Sequence, residues 1–296
     1  MIGNRRNREE NDYGFLSKYS MIIGMTLQVI PKKSLGQNFL NSERVVSRIS
    51  ETTEATIKDT ILEIGPGLGA LTEKFLELPG KVVAIEKDGQ LFDILTEKFK
   101  TDIKNNKLTL INKDIIDFDP KIMKKTGSND YIIAANIPYN ITGLIIRKFL
   151  SEDFQPKKMI LLIQNEVATR ILARDNKESL LSISVKVYGT PKLVTKVARG
   201  NFNPVPRVDS AVIKIENISR KNFINERFEK LFFEIIHAGF AHKRKVLIKN
   251  ILDAGLGNRI LLEKIFADRK LKLTVRSEEL TVDDWIFITN VLYNQQ

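Results

Sequence analysis

Asn136-Ile137-Pro138-Tyr139 brings together four residues suited to holding an aromatic amine. The Asn136 side-chain oxygen and the Ile137 backbone oxygen can each accept one N–H, with Pro138 fixing the backbone so that both point into one pocket. Tyr139 offers a face for stacking, worth roughly 1–3 kcal/mol per base. That helps offset the few kcal/mol needed to draw a base out of its stack. The lone pair of an adenine N6 is delocalised into the ring, so a grip that pulls the amine toward tetrahedral geometry makes it nucleophilic. Read without context, the same four residues also describe an ordinary strand ending in a proline turn.

The context is a glycine-rich turn upstream, Glu63-Ile64-Gly65-Pro66-Gly67-Leu68-Gly69. Gly65, Gly67 and Gly69 follow a strand-like run and precede a helical one, where absent side chains let backbone N–H groups approach a ligand. Glu86 ends the next strand-like run, near the interval at which a carboxylate takes both ribose hydroxyls of a nucleoside cofactor. Such charge-assisted bonds are worth roughly 1.5–3 kcal/mol. The spacing admits NAD as well as S-adenosylmethionine. Against NAD, the pattern is Gly-x-Gly-x-Gly rather than Gly-x-Gly-x-x-Gly, and Pro66 sits inside it. Asp114 ends the third run, where it either accepts from a cofactor adenine or caps a helix. The segment Ser34-Leu35-Gly36-Gln37-Asn38-Phe39-Leu40 either lies across the cofactor or caps the first helix. Cofactor turn and amine-gripping box together read as methyl transfer to an amino nitrogen. No dedicated general base is evident. Orientation can supply about 7–11 kcal/mol, against the 10²–10⁴-fold typical of a general base, so positioning should dominate.

The elements that must position these residues alternate in type. Runs 60–65, 81–86, 108–114, 131–138 and 158–164 are short and rich in β-branched residues, separated by amphipathic stretches such as 71–78 and 90–99. This is the βαβ rhythm of a parallel, doubly wound α/β sheet. Runs 181–188, 192–199 and 210–216 read as three strands that finish the sheet as antiparallel edge strands. Residues 217–222 read as a linker, and 223–237, 243–254, 259–266 and 282–292 show helical periodicity. The expected organisation is therefore an extension at 1–30, a cofactor-binding domain at 31–216 and a small all-α domain at 217–296.

Composition narrows the partners. With 47 Lys+Arg against 36 Asp+Glu the net charge is +11, which favours a polyanion because neutralised phosphates release counterions. There is no Cys, and the only histidines are His237 and His242, so disulfides and Cys-based zinc sites are excluded and no metal is expected. The first twenty or so residues are polar and charged, and Met21-Ile22-Ile23-Gly24-Met25 is too short for a signal core or a membrane span. Met21 and Met25 are plausible alternative starts. Downstream, Asn201-Phe202-Asn203-Pro204-Val205-Pro206-Arg207 is a loop held extended by two prolines. It either presents Phe202 to the target base or packs that ring into the core, and spacing favours the core. His242-Lys243-Arg244-Lys245 with Lys249 forms a basic cluster opening a helix, read as a phosphate contact or as a solvated helix end.

With these motifs in view, the chain resembles the KsgA-type ribosomal RNA adenine dimethyltransferases from Lys33 to its C-terminus. The resemblance is carried by Leu35-Gly36-Gln37-Asn38-Phe39-Leu40, Glu63-Ile64-Gly65-Pro66-Gly67, Asn136-Ile137-Pro138-Tyr139-Asn140-Ile141, Gln164-Asn165-Glu166-Val167 and Phe202-Asn203-Pro204-Val205-Pro206-Arg207-Val208-Asp209-Ser210-Ala211-Val212. It implies a class I methyltransferase with a mostly parallel Rossmann-like sheet and an antiparallel edge strand. Its cofactor would be S-adenosylmethionine. Its reaction would be N6,N6-dimethylation of two neighbouring adenines near the 3′ end of small-subunit rRNA, on a late assembly particle in the cytoplasm. The implied cofactor contacts are Gln37, Asn38, Leu40, Gly65, Gly67, Glu86, Asp114 and Asn136. Asn136, Ile137, Pro138, Tyr139 and Phe202 would form the catalytic site, and Lys243, Arg244, Lys245 and Lys249 would meet RNA. Ile137 stands where Leu is usual, which keeps the backbone acceptor. Asn165 stands where Lys is common, which puts one possible RNA contact in doubt. A monomer away from membranes is expected.

Three other readings compete. The sister family that dimethylates large-subunit rRNA shares the same boxes, but Ala238-Gly239-Phe240-Ala241-His242-Lys243-Arg244-Lys245 and Val275-Arg276-Ser277-Glu278-Glu279 resemble the small-subunit type. A non-catalytic RNA-binding protein of the same fold would have no use for paired amine acceptors. DNA adenine methylation is the third.

Overall fold

The computed structural model describes residues 31–32, 35–126, 130–175 and 177–295; the expected extension at 1–30 lies outside them. Five central runs form strands: β2 (Thr60–Ile64), β3 (Lys81–Glu86), β4 (Leu108–Asn112), β5 (Tyr131–Asn136) and β6 (Lys158–Gln164). β2 and β5 are buried nearly throughout, the mark of strands covered on both faces. With β7 (Thr190–Val197) and β9 (Ser210–Glu216) they make a seven-stranded sheet of order β4-β3-β2-β5-β6-β9-β7. β1 (Phe39–Leu40) and β8 (Phe202–Asn203) form a separate ribbon.

Two sequence expectations need correction here. The antiparallel strand is not at the edge: β9 is inserted between β6 and β7 and runs against both, so β7 at the edge points the same way as the parallel strands. Residues 181–188 are not a strand but mostly a helix, Leu180–Lys186. A capping box between Ser179 and Ser182 starts this helix, and Ile183 and Val185 are buried, so capping and packing override the β-branched composition.

Alternation sorts the strand residues into two layers. Leu62, Ile64, Val83, Ile85, Ile133 and Ala135 face one apolar cluster; Ile61, Val82, Ala84, Ile132 and Ala134 face another. The second is covered by helices Glu43–Thr53, Ala70–Glu77 and Gly89–Lys98. The first continues without a break into helices Glu226–Phe240, Leu247–Asp253, Arg259–Asp268 and Val282–Tyr293, through Phe232, Ile251, Phe266 and the fully buried Trp285. Gly239 is required there, since a Cβ would sit 2.4 Å from the Trp285 ring. Tyr188 and Arg220 both donate to the buried Glu229 carboxylate, tying this helical layer to the segment that leaves the sheet.

Candidate active site

The carboxyl ends of parallel strands form the crevice of an open α/β sheet. Gly65 follows β2, Glu86 ends β3, Asp114 follows β4 and Asn136 ends β5, and all four line one cavity. Residues 35–40 form another part of its wall, and 136–141 another.

The glycine turn adopts left-handed backbone, with φ of 64°, 62° and 84° at Gly65, Gly67 and Gly69. A Cβ on Gly65 would meet nothing within 4 Å, whereas one on Gly67 would lie 3.1 Å from the Phe39 ring and one on Gly69 2.7 Å from Phe99. The turn is thus packed at Gly67 and Gly69 and open at Gly65. Glu86 braces it: one carboxylate oxygen accepts from Gly67 N at 3.1 Å, the other from Asp88 N at 2.9 Å. Burial pushes its pKa up, opposed by these backbone donors. Behind the turn, Glu63 is 1% exposed; Thr72 donates to one oxygen at 2.6 Å and the other has no partner among the described residues. Burial raises its pKa to about 8.

Asp114 fills the capping role, accepting from Ile116 N at 3.0 Å, while its other oxygen pairs with Lys87 at 2.7 Å. Lys87 holds its carboxyl below the usual range. It still lines the cavity, so both of its sequence readings are compatible with its position. Residues 37–40 do not cap the helix that follows them, which begins at Glu43 with Ser42 before it.

Asn136 is oriented by its amide: Nδ2 donates to Asn38 O at 2.9 Å. Its oxygen, and the carbonyl oxygen of Ile137, have no protein donor among the described residues, which leaves two acceptors at the tip of β5. Ile137 as a whole residue, its carbonyl included, is 1% exposed, and its N–H is held by Leu162 O at 3.2 Å. Pro138 lines the cavity and its carbonyl accepts from Ile141 N, starting the turn that carries Tyr139. The Tyr139 hydroxyl lies 2.7 Å from Ser210 Oγ, the first residue of β9, and burial raises its pKa.

Phe202 takes the other place considered for it. It is 1% exposed, paired with Leu40 across the β1–β8 ribbon and packed with Val45, Ile49 and Val212; it does not line the cavity. The basic cluster precedes its helix rather than opening it: Lys243 and Arg244 lie in a turn, exposed, and the helix starts at Leu247 with Lys249 exposed on it. Lys245 pairs with Asp253 at 3.1 Å. Among the described residues no group of His, Asp or Glu could hold a metal, and no helix is long and apolar enough to cross a membrane.

The family described as ribosomal RNA adenine dimethylase matches residues 30–293. The chain belongs to that family. Ribosomal RNA small subunit methyltransferase A of Dehalococcoides mccartyi is 38% identical over 90% of this chain and 89% of the relative. The protein of the same name from Clostridium botulinum is 35% identical over 88% and 94%. Among solved structures, a dimethyladenosine transferase from Plasmodium falciparum superposes with a TM-score of 0.69 at 26% identity, covering 84% of this chain and 95% of that one. The 23S rRNA methyltransferase ErmE superposes at 0.70 with 22% identity, over 86% and 100%, a likeness of fold. The dimethylase cradle fits a nucleoside cofactor on its own geometry: the open side of Gly65 admits ligand atoms where a side chain would stand, and the Glu86 carboxylate, which can accept about four hydrogen bonds, keeps acceptor capacity beyond its backbone donors Gly67, Asp88 and Lys87.

Two contributors escaped the sequence reading. Glu63 carries a signal, a carboxylate within an otherwise apolar strand. Asp88 carries a weaker one, an Asp directly before a helix start, and the structure makes it the N-cap of Gly89–Lys98 and a partner of Lys32 and Gln37.

Proposed function

We propose that this dimethylase converts two neighbouring adenines near the 3′ end of small-subunit rRNA to N6,N6-dimethyladenine, on a late assembly particle. The observation that carries the reading is the tether from Asn136 Nδ2 to Asn38 O, which leaves Oδ1 of Asn136 and O of Ile137 as paired acceptors beside the glycine cradle. When bound, S-adenosylmethionine supplies a methyl group on a sulfonium. Gly65, Gly67, Glu86 and Asp114, with Gln37, Asn38 and Leu40 opposite, would hold it. Asn136 and Ile137 take the two N6–H bonds of the base, Pro138 keeps their carbonyls aligned, and Tyr139 stacks on the ring. Asn136 and Ile137 would hold the N6 lone pair toward the methyl group that the cofactor supplies, and the N6 proton displaced by methylation would leave to solvent. Repetition on the monomethylated amine gives the dimethyl product. Phe202 supports the wall from the core rather than touching the base. Lys243, Arg244 and Lys249 contact phosphates, while Lys245 is engaged by Asp253.

The test incubates the protein with labelled S-adenosylmethionine and undermethylated small subunits, then maps dimethyladenosine by mass spectrometry. Two adjacent dimethyladenosines in small-subunit rRNA are expected. Label in large-subunit rRNA alone, or in DNA, would overturn the assignment, and RNA binding without methyl transfer would mark a non-catalytic binder.

A further inference from the structure

The wall formed by residues 35–40 is thin, with β1 only two residues long, yet it is pinned at three points. At its far end, Leu40 and Phe39 pair with Phe202 and Asn203. In the middle, Asn38 O accepts from Asn136. At the near end, the pin is a residue outside the cavity. Asp88 accepts from Gln37 Nε2 at 3.0 Å and from Lys32 Nζ at 2.7 Å, while Gln37 Oε1 accepts from Lys32 N at 2.7 Å. Its carboxylate is 3% exposed; the Lys32 side chain is 46% exposed. Both oxygens of Asp88 are thus committed, one of them also to Gln90 N at 3.1 Å. Its own N–H donates to Glu86 at 2.9 Å, the carboxylate that also accepts from Gly67.

We propose that Asp88 and Lys32 are positioning residues that clasp segment 35–40 over the cofactor and set cofactor affinity without touching it. This rests on reading the cavity as the S-adenosylmethionine site. One continuous bonded path runs from the glycine turn through Glu86 to Asp88 and across to Gln37, so the two sides of the cavity are held at a fixed separation by this carboxylate. A segment so short has little shape of its own: two residues of ribbon, the tether to Asn136 and the local bonds from Leu35 N to Lys32 O and from Asn38 Nδ2 to Gly36 O do not tie its first three residues to the opposite side of the cavity. With the clasp closed, the entropy of ordering the wall is met before the cofactor arrives; with the clasp broken, the cofactor must order it on binding.

The experiment compares wild-type protein with Lys32→Ala, Lys32→Arg and Asp88→Asn. Calorimetry without RNA gives the Kd for S-adenosylmethionine, amide hydrogen exchange reads residues 36–40 in the cofactor-free protein, and thermal melting reads the fold. Lys32→Ala removes a half-exposed ion pair and should weaken cofactor binding about 2- to 5-fold. Asp88→Asn alters the buried hub and should weaken it about 10-fold. Both should speed exchange at 36–40 while kcat at saturating cofactor and affinity for small subunits stay within twofold, and Lys32→Arg should restore binding. Unchanged Kd and exchange in both variants would overturn the clasp, as would a loss that tracks a fall in Tm and is not restored by Lys32→Arg. Failure of the wild type to bind the cofactor would instead sink the cofactor assignment, and the exchange data would still decide the clasp.

Discussion

Glu63→Gln tests the buried carboxyl behind the glycine turn. Burial raises the Glu63 pKa from 4.5 to about 8, so the folded protein binds a proton that the unfolded chain releases above its own, lower value. Folding therefore takes up a proton between these limits, and stability falls as pH rises through that window and levels off above it. The cost is about 1 kcal/mol at pH 5 and about 4 kcal/mol at pH 8. Gln cannot ionise and keeps an acceptor for Thr72, whose hydroxyl lies 2.6 Å from Glu63. Every other titrating group is common to both proteins, so the difference between them reports Glu63 together with its coulombic coupling to Glu86 and Lys98. Urea unfolding of wild type and variant from pH 5 to 8.5 should show the variant gaining about 4 kcal/mol relative to wild type across that range. A difference that does not change with pH would refute a protonated Glu63 and, with it, burial as the controlling influence.

Asn136→Ala removes one amine acceptor and the tether to Asn38, and should cut methyl incorporation by about 10²–10³-fold while leaving small-subunit binding intact, as read by filter binding beside a labelling assay. Gly67→Ala places a Cβ 3.1 Å from Phe39 at a φ of 62°; it should lose about 1–3 kcal/mol in chemical denaturation and weaken cofactor binding measured by calorimetry. Phe202→Ala should cost about 3–5 kcal/mol of global stability, with Phe202→Leu recovering most of it and most of the activity; selective loss of activity in a fully stable Phe202→Leu would return the ring to the target base. Replacing Lys243 and Arg244 together should flatten the salt dependence of RNA binding by about 0.7–0.9 per lost phosphate contact, whereas Lys245→Ala, already paired with Asp253, should change the slope little.

Buried strands announce themselves, because a run covered on both faces must be largely apolar: the sequence boundaries of the parallel strands β3 and β6 and of the antiparallel β9 agree with the structure to the residue. Residues 181–188 misled by a different pattern. Ile183, Val185 and Val187 alternate with polar residues as in a strand, and the opposing cue, Ser179 three residues before Ser182, is local and easily outweighed. The direction of β9 leaves no mark in its composition, since register and polarity come from pairing partners remote in the chain. Gly65, Glu86, Asp114 and Asn136 were legible because strand ends in such a sheet converge on one crevice. Phe202 was harder: a proline-stiffened loop has two sides, and only the pairing of Leu40 with Phe202 decides which one the ring takes. Lys32 carries no signal at all, for its role depends on an aspartate 56 positions away.

The reversed strand makes the outer half of the sheet a ruler for the reaction chamber. Ser210 stands opposite Gln164 and Glu216 opposite Lys158, so β9 enters the sheet, rather than leaves it, at the chamber's rim. The hydroxyl that meets Tyr139 is therefore counted off from the strand's first residue. A length change in the proline loop before Ser210 can be absorbed outside the ladder. One inserted or deleted residue within β9 would turn every side chain of the shifted part to the opposite face, so damage far from the rim would be felt at the aromatic ring if the shift ran toward Ser210.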